Sequence, residues 1–108
     1  MRPKVLLFFE YGTLNGGEFS LLAMLKVLGQ TEFEFVAAAP AEGMLTERLE
    51  RCGIEVLPLT LRDADGQKRP IEQINIHLAE LVRQVRPDLL YSNSIAMGRE
   101  VGRIAVEF

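Results

Sequence analysis

Val5-Leu6-Leu7-Phe8-Phe9-Glu10-Tyr11-Gly12-Thr13-Leu14-Asn15-Gly16-Gly17-Glu18 is the stretch on which the fold turns. Its apolar opening predicts a strand over residues 4–9. The amphipathic run that follows, Phe19 to Leu28, predicts a helix over residues 17–28. A glycine-bearing turn joins them. A helix opening on Gly16-Gly17 presents unpaired backbone N–H groups and the positive end of its dipole to whatever lies beyond it. Without a Cβ, glycine lets a phosphate or sugar approach the main chain closely. The stretch therefore predicts a binding turn as well as a strand-to-helix unit. The glycines at 12, 16 and 17 do not form the G-x-G-x-x-G dinucleotide fingerprint. Gly17 is followed by Glu18, where a P-loop would carry Lys. A purely structural turn remains the plain alternative.

The same unit repeats along the chain. A second strand is expected over residues 34–39, ended by Pro40, with a helix from Met44 to Cys52 that Gly53 stops. A third strand is expected over residues 54–59. A polar connection, Thr60 to Arg69, leads to Pro70 in the first turn of a third helix. Ile71, Ile74, Leu78, Leu81, Val82 and Val85 form that helix's apolar stripe, and Pro87 stops it. A fourth strand over residues 88–92 precedes a last helix carrying Met97, Val101, Ile104 and Phe108, capped by Asn93 or Ser94.

Alternating units of this length predict an α/β fold of three layers: a doubly wound parallel sheet with helices on both faces. Right-handed crossovers give the strand order 3-2-1-4. Ligands of such sheets bind beyond the carboxyl ends of the strands, where the winding reverses between strands 1 and 4. Tyr11, Asn15, Gly16, Gly17 and Glu18 should therefore face the same crevice as Asn93 and Ser94. Complete domains of this class usually have more strands, so residues 1–108 are expected to be an incomplete, truncated first portion of something larger.

Composition narrows the function. The chain has 108 residues, the size of one domain, and 48% hydrophobic with 25% charged residues is an ordinary globular balance. The net charge is -3 with no basic stripe, which argues against nucleic-acid binding. One cysteine excludes an internal disulfide framework and a cysteine metal site; Cys52 reads as a core or boundary residue. His77, the one histidine, has no metal-ligand neighbour in sequence and reads as a helix-boundary residue. Asp63-Ala64-Asp65-Gly66 does not space its glycine as a calcium loop does, so it reads as a solvated turn, with Arg62 and Asp63 as candidate acceptor contacts. No hydrolase triad surrounds Ser92 and Ser94. A receiver-like signalling domain could use Glu10 but lacks the Asp that should end its third strand. No signal peptide and no run of about 18 apolar residues is visible, so a cytoplasmic location without a membrane span is expected.

Three motifs in order carry a family resemblance: Gly16-Gly17-Glu18 after the first strand, Gly53-Ile54-Glu55-Val56 entering the third, and Arg86-Pro87-Asp88-Leu89-Leu90-Tyr91-Ser92-Asn93-Ser94 in the fourth. Over nearly its whole length the chain resembles the N-terminal domain of the retaining, two-Rossmann-domain (GT-B) group-1 glycosyltransferases. Glu18 stands one position early, and Tyr91 takes the place of a histidine. The resemblance implies the acceptor side of an interdomain cleft, with the glycine turn closing over the donor's diphosphate and sugar. It implies a nucleotide-sugar donor and a sugar or lipid-linked acceptor, with no cofactor, no metal and no catalytic residue in residues 1–108. The resemblance implies that the nucleotide-holding domain with its Glu-x7-Glu signature is not part of residues 1–108, so the isolated chain is expected to be inactive. An exposed fourth-strand edge or last helix would favour a homodimer. A stand-alone binding or scaffold module without catalysis is the alternative.

Overall fold

The computed structural model describes residues 2–10, 16–92 and 102. Four strands form one sheet: β1 (Lys4–Phe8), β2 (Glu34–Ala39), β3 (Glu55–Pro58) and β4 (Leu89–Ser92). Their order is β3-β2-β1-β4 and every neighbouring pair is parallel, as the alternating units predict. Three helices connect them: α1 (Gly16–Glu32), α2 (Met44–Arg51) and α3 (Ile71–Val85). Of the expected last helix only Gly102 is described, and it is helical.

The alternation of side chains along β1 explains the layers. Leu6 and Phe8 join Val36, Ala38, Ile74, Leu78, Leu81, Val82 and Val85 in one buried cluster. Val5, Leu7 and Phe9 join Leu21, Leu22, Leu25, Leu45 and Leu49 in another. Helix α3 thus covers one face, and α1 and α2 cover the other. Right-handed connections demand this, because the chain steps one way across the sheet from β1 to β3 and back the other way to β4. The two central strands are buried on both faces and read as continuous apolar runs, Val5–Phe8 and Phe35–Ala39. At roughly 25 cal/mol per Å² these two faces supply most of the driving force for folding.

The ends of the elements follow from local chemistry. Gly53 stands at φ 79, and its N–H bonds the Glu50 carbonyl while Ile54 N–H bonds the Leu49 carbonyl. That double return is the glycine C-cap expected after α2. Nothing lies within 4 Å of the place a Gly53 Cβ would occupy, so the backbone conformation and not crowding calls for glycine. Thr46 donates from Oγ1 to the Pro40 carbonyl at 2.6 Å, tying the exit of β2 to the start of α2. Helix α1 runs on through Gly29 to Glu32, past the expected end at Leu28. Glycine weakens a helix by about 1 kcal/mol but ends one only where the next residues take up a left-handed cap. Pro70 stands one residue before α3, as its N-cap, and not within its first turn.

The Arg86-Pro87-Asp88 motif has a structural role. Arg86 caps α3 in the left-handed region, at φ 53, with its N–H on the Val82 carbonyl at 2.8 Å. Pro87 cannot continue a helix. Asp88 then registers β4 against β1: its N–H bonds the Lys4 carbonyl and its Oδ2 accepts from the Lys4 N–H, both at 2.7 Å. Among the described residues no helix is long and apolar enough to cross a membrane.

Candidate functional site

Because all four strands are parallel, their carboxyl ends lie on one side of the molecule. The winding reverses between β1 and β4, which pair from Val5↔Leu89 to Phe8↔Ser92. The crevice of a doubly wound sheet opens there. Helix α1 begins at Gly16, so its N-terminus stands at the carboxyl end of the central strand. Gly16 and Gly17 both belong to its first turn, and half-buried Glu18 is the acid of that turn. The first turn of a helix has N–H groups without intrahelical partners, which favour an anion. Tyr11, Asn15, Asn93 and Ser94, the other sequence candidates, lie outside the described residues.

Two polar groups at this end of the sheet come together that are far apart in sequence. Glu10 lies two residues beyond the end of β1. Arg62 arrives from the connection between β3 and α3. Its guanidinium Nη2 lies 3.9 Å from Glu10 Oε1, and the Glu10 side chain is only 7% exposed. The connection is an ordered hairpin. Arg62 pairs antiparallel with Lys68, Arg69 N–H bonds the Leu61 carbonyl at 2.8 Å, and Arg62 Nη1 donates to the Gly66 carbonyl at 3.0 Å. Asp63 Oδ1 accepts the N–H groups of Asp65 and Gln67, so this carboxylate serves the turn. Leu61 at the hairpin's foot is buried in the α3-side cluster.

The sequence candidates divide accordingly. Gly16, Gly17 and Glu18 form the first turn of α1, beyond the carboxyl end of β1. Glu10 was not among the expected site residues. The signal for it is an acid closing the apolar run of the central strand, one residue before the glycine turn. Arg62 reaches this end of the sheet, while Asp63 is occupied by its own loop. His77 and Cys52 are half-buried, as boundary residues should be. Among the described residues no three His, Cys, Asp or Glu side chains gather as a metal site would require.

No protein-family model matches the chain, and no curated protein matches it. Solved structures do. HepE of Anabaena in complex with UDP and glucose superposes over 97% of this chain at a TM-score of 0.67 and 21% identity. A glycosyltransferase of Rickettsia africae superposes over 98% at 0.63 and 17% identity. The chain spans about a quarter of their length, 28% and 27%. Glycinamide ribonucleotide transformylase 1 of Symbiobacterium toebii also matches, at 0.56 and 14% identity over 86% of this chain. At such identities the likeness is one of fold, and the transformylase shows that the fold serves more than one chemistry. The chain therefore has the Rossmann-like α/β fold that a glycosyltransferase uses for about a quarter of its length, as its sequence resemblance implies.

Proposed function

We propose that residues 1–108 form the N-terminal, acceptor-side domain of a nucleotide-sugar-dependent glycosyltransferase. One observation carries this reading above the others: helix α1 opens on Gly16-Gly17 at the carboxyl end of the central strand, at the reversal point of the sheet. The likeness to HepE, solved with UDP-glucose, supports the same ligand class. In this reading the backbone N–H groups of Gly16, Gly17 and Glu18 receive the donor's diphosphate. Tyr11, Asn15, Asn93 and Ser94 are proposed as further contacts of the ligand. The domain that grips the nucleotide base lies outside residues 1–108.

Such a domain contributes positioning and electrostatics. As the sugar leaves its diphosphate, negative charge collects on the phosphate oxygens. A fixed helix N-terminus stabilises that charge without reorganising. Contact with the diphosphate alone supplies neither a grip on the base nor the opposite wall of the cleft, so residues 1–108 alone should transfer no sugar. Leu89 and Tyr91 on β4 are 54% and 43% exposed and form part of a surface through which the chain would pair with a further domain or a second copy.

Thermal unfolding in the presence of ligand tests the reading. A ligand that binds only the native state stabilises it by RT ln(1 + [L]/Kd), about 1.4 kcal/mol at ten times Kd. UDP-glucose at 10 mM is expected to raise the unfolding midpoint by several degrees, and NAD at the same concentration to leave it in place. An unchanged midpoint with UDP-glucose contradicts the proposal. Equal stabilisation by NAD favours a general binding module instead.

A further inference from the structure

We infer that the groove between α1 and α2 receives the outer face of α3 from a second copy of this chain, so that copies add head to tail through two different surfaces. The groove is separate from the crevice at the glycine turn. Lys26 stands in the second half of α1, and Arg48 and Arg51 stand in the last turn of α2.

Helix α1 is apolar on both of its sides. Leu21, Leu22 and Leu25 are buried against the sheet, yet Phe19 is 52%, Met24 45% and Val27 87% exposed on the other side. On α2, by contrast, the exposed positions include Glu47, Arg48, Glu50 and Arg51. A helix that is apolar all round is normally buried all round. Beside that uncovered side runs a groove of about 640 Å³, lined by Phe19, Leu22 and Cys52 together with Lys26, Arg48 and Arg51. Among the described residues no acid lines it, and none of its three cations is in an ion pair. In a chain of net charge -3 this is a local excess of positive charge.

Shape and charge select the occupant. A groove between two helices takes the side-chain ridge of a third. A flat lipid surface would bridge the groove and leave it unfilled. The ridge must be apolar in the middle and acidic beside it. The outer side of α3 has this pattern. Glu72, Ile76 and Glu80 recur at every fourth residue and so share one side of the helix. Ile76 is 60% exposed, and Ile71, the first residue of α3, is 53% exposed. Glu72 and Glu80 are exposed and, among the described residues, in no ion pair. Arg83, a cation on the same side, has a contact of its own within the chain. The sheet separates the two surfaces, because α3 covers one of its faces and α1 and α2 the other. The contact is therefore heterologous, and each added copy leaves one groove and one α3 face open at the ends of the stack.

Sedimentation velocity of the 108-residue chain tests this. At low salt the weight-average sedimentation coefficient is expected to rise with concentration, past that of a dimer by about 500 μM, well above the micromolar range of a modest interface. It should fall toward the monomer value in about 0.5 M NaCl, which screens the charge pairs. A groove variant carrying Arg48→Glu and Arg51→Glu should be monomeric, and so should an α3 variant carrying Ile76→Lys and Glu80→Lys. An equimolar mixture of the two retains one intact groove and one intact α3 face, and is expected to form a dimer that grows no further. A parent chain that stays monomeric at every concentration overturns the inference. So does association that both variants keep and Tyr91→Lys abolishes, which would place the contact on β4. A monomeric chain that co-sediments with phosphatidylglycerol vesicles, and loses them in the groove variant, would give the groove to an anionic membrane and equally overturn it. Thermal melting checks that each variant is folded. Should the groove variant unfold, Lys26→Glu replaces it and must still prevent growth.

Discussion

Phe8→Ala is expected to destabilise the protein by about 3–5 kcal/mol, enough to leave much of it unfolded at room temperature. Phe8 is fully buried and closes the central strand, with β2 on one side and β4 on the other. Its ring belongs to the cluster that joins β1 and β2 to α3. Truncation forfeits the ring's transfer free energy and leaves a cavity between elements that cannot collapse independently. Urea unfolding measures the loss. Ile76→Ala is the control, because Ile76 is 60% exposed on the outer side of α3 and should cost no more than about 0.5 kcal/mol. Equal losses at the two positions would mean that the α3-side cluster is not the core described above.

Gly17→Ala should act in the opposite way, on binding rather than on stability. Gly17 lies inside the first turn of α1, in a conformation that alanine adopts without strain. Alanine also restricts the unfolded chain, so stability is expected to hold or rise by up to about 1 kcal/mol. If the helix N-terminus receives the donor's diphosphate, the new Cβ intrudes on its approach. UDP-glucose affinity should fall at least tenfold, or about 1.4 kcal/mol, by isothermal titration calorimetry. A variant that unfolds while the residual native protein binds normally would assign the glycines to the turn alone.

How much of this was legible in the sequence depends on how local the cause is. Strand β2 runs over Glu34–Ala39, as the apolar run bounded by Pro40 predicts. The edge strands are shorter than their apolar runs. Ile54 and Leu59 are buried and so read as strand, but the Ile54 N–H is spent on the cap of α2. The C-cap at Gly53 and the stop at Pro87 were readable because glycine and proline act through their own backbone geometry. The hairpin between Arg62 and Lys68 was not, since an exposed pairing of polar residues leaves no hydrophobic period. The meeting of Glu10 with Arg62 joins distant segments, and no spacing rule along the chain announces it.

At the candidate site, the sequence pointed to Gly16 and Gly17 through one feature, a helix opening on bare backbone. It passed over Glu10 because a single acid after an apolar run is common. Burial distinguishes this one, and burial is a property of the assembled sheet.

Amide shift mapping with UDP-glucose is the most direct measurement of the central claim, that a nucleotide sugar meets the chain at the reversal point of the sheet. The account predicts the largest shifts at Gly16, Gly17 and Glu18, with a second group at Ser92 and the residues just after it. Shifts confined to the groove that Leu22, Lys26, Arg48 and Cys52 line between α1 and α2 would contradict it, as would no shift at any concentration up to 10 mM.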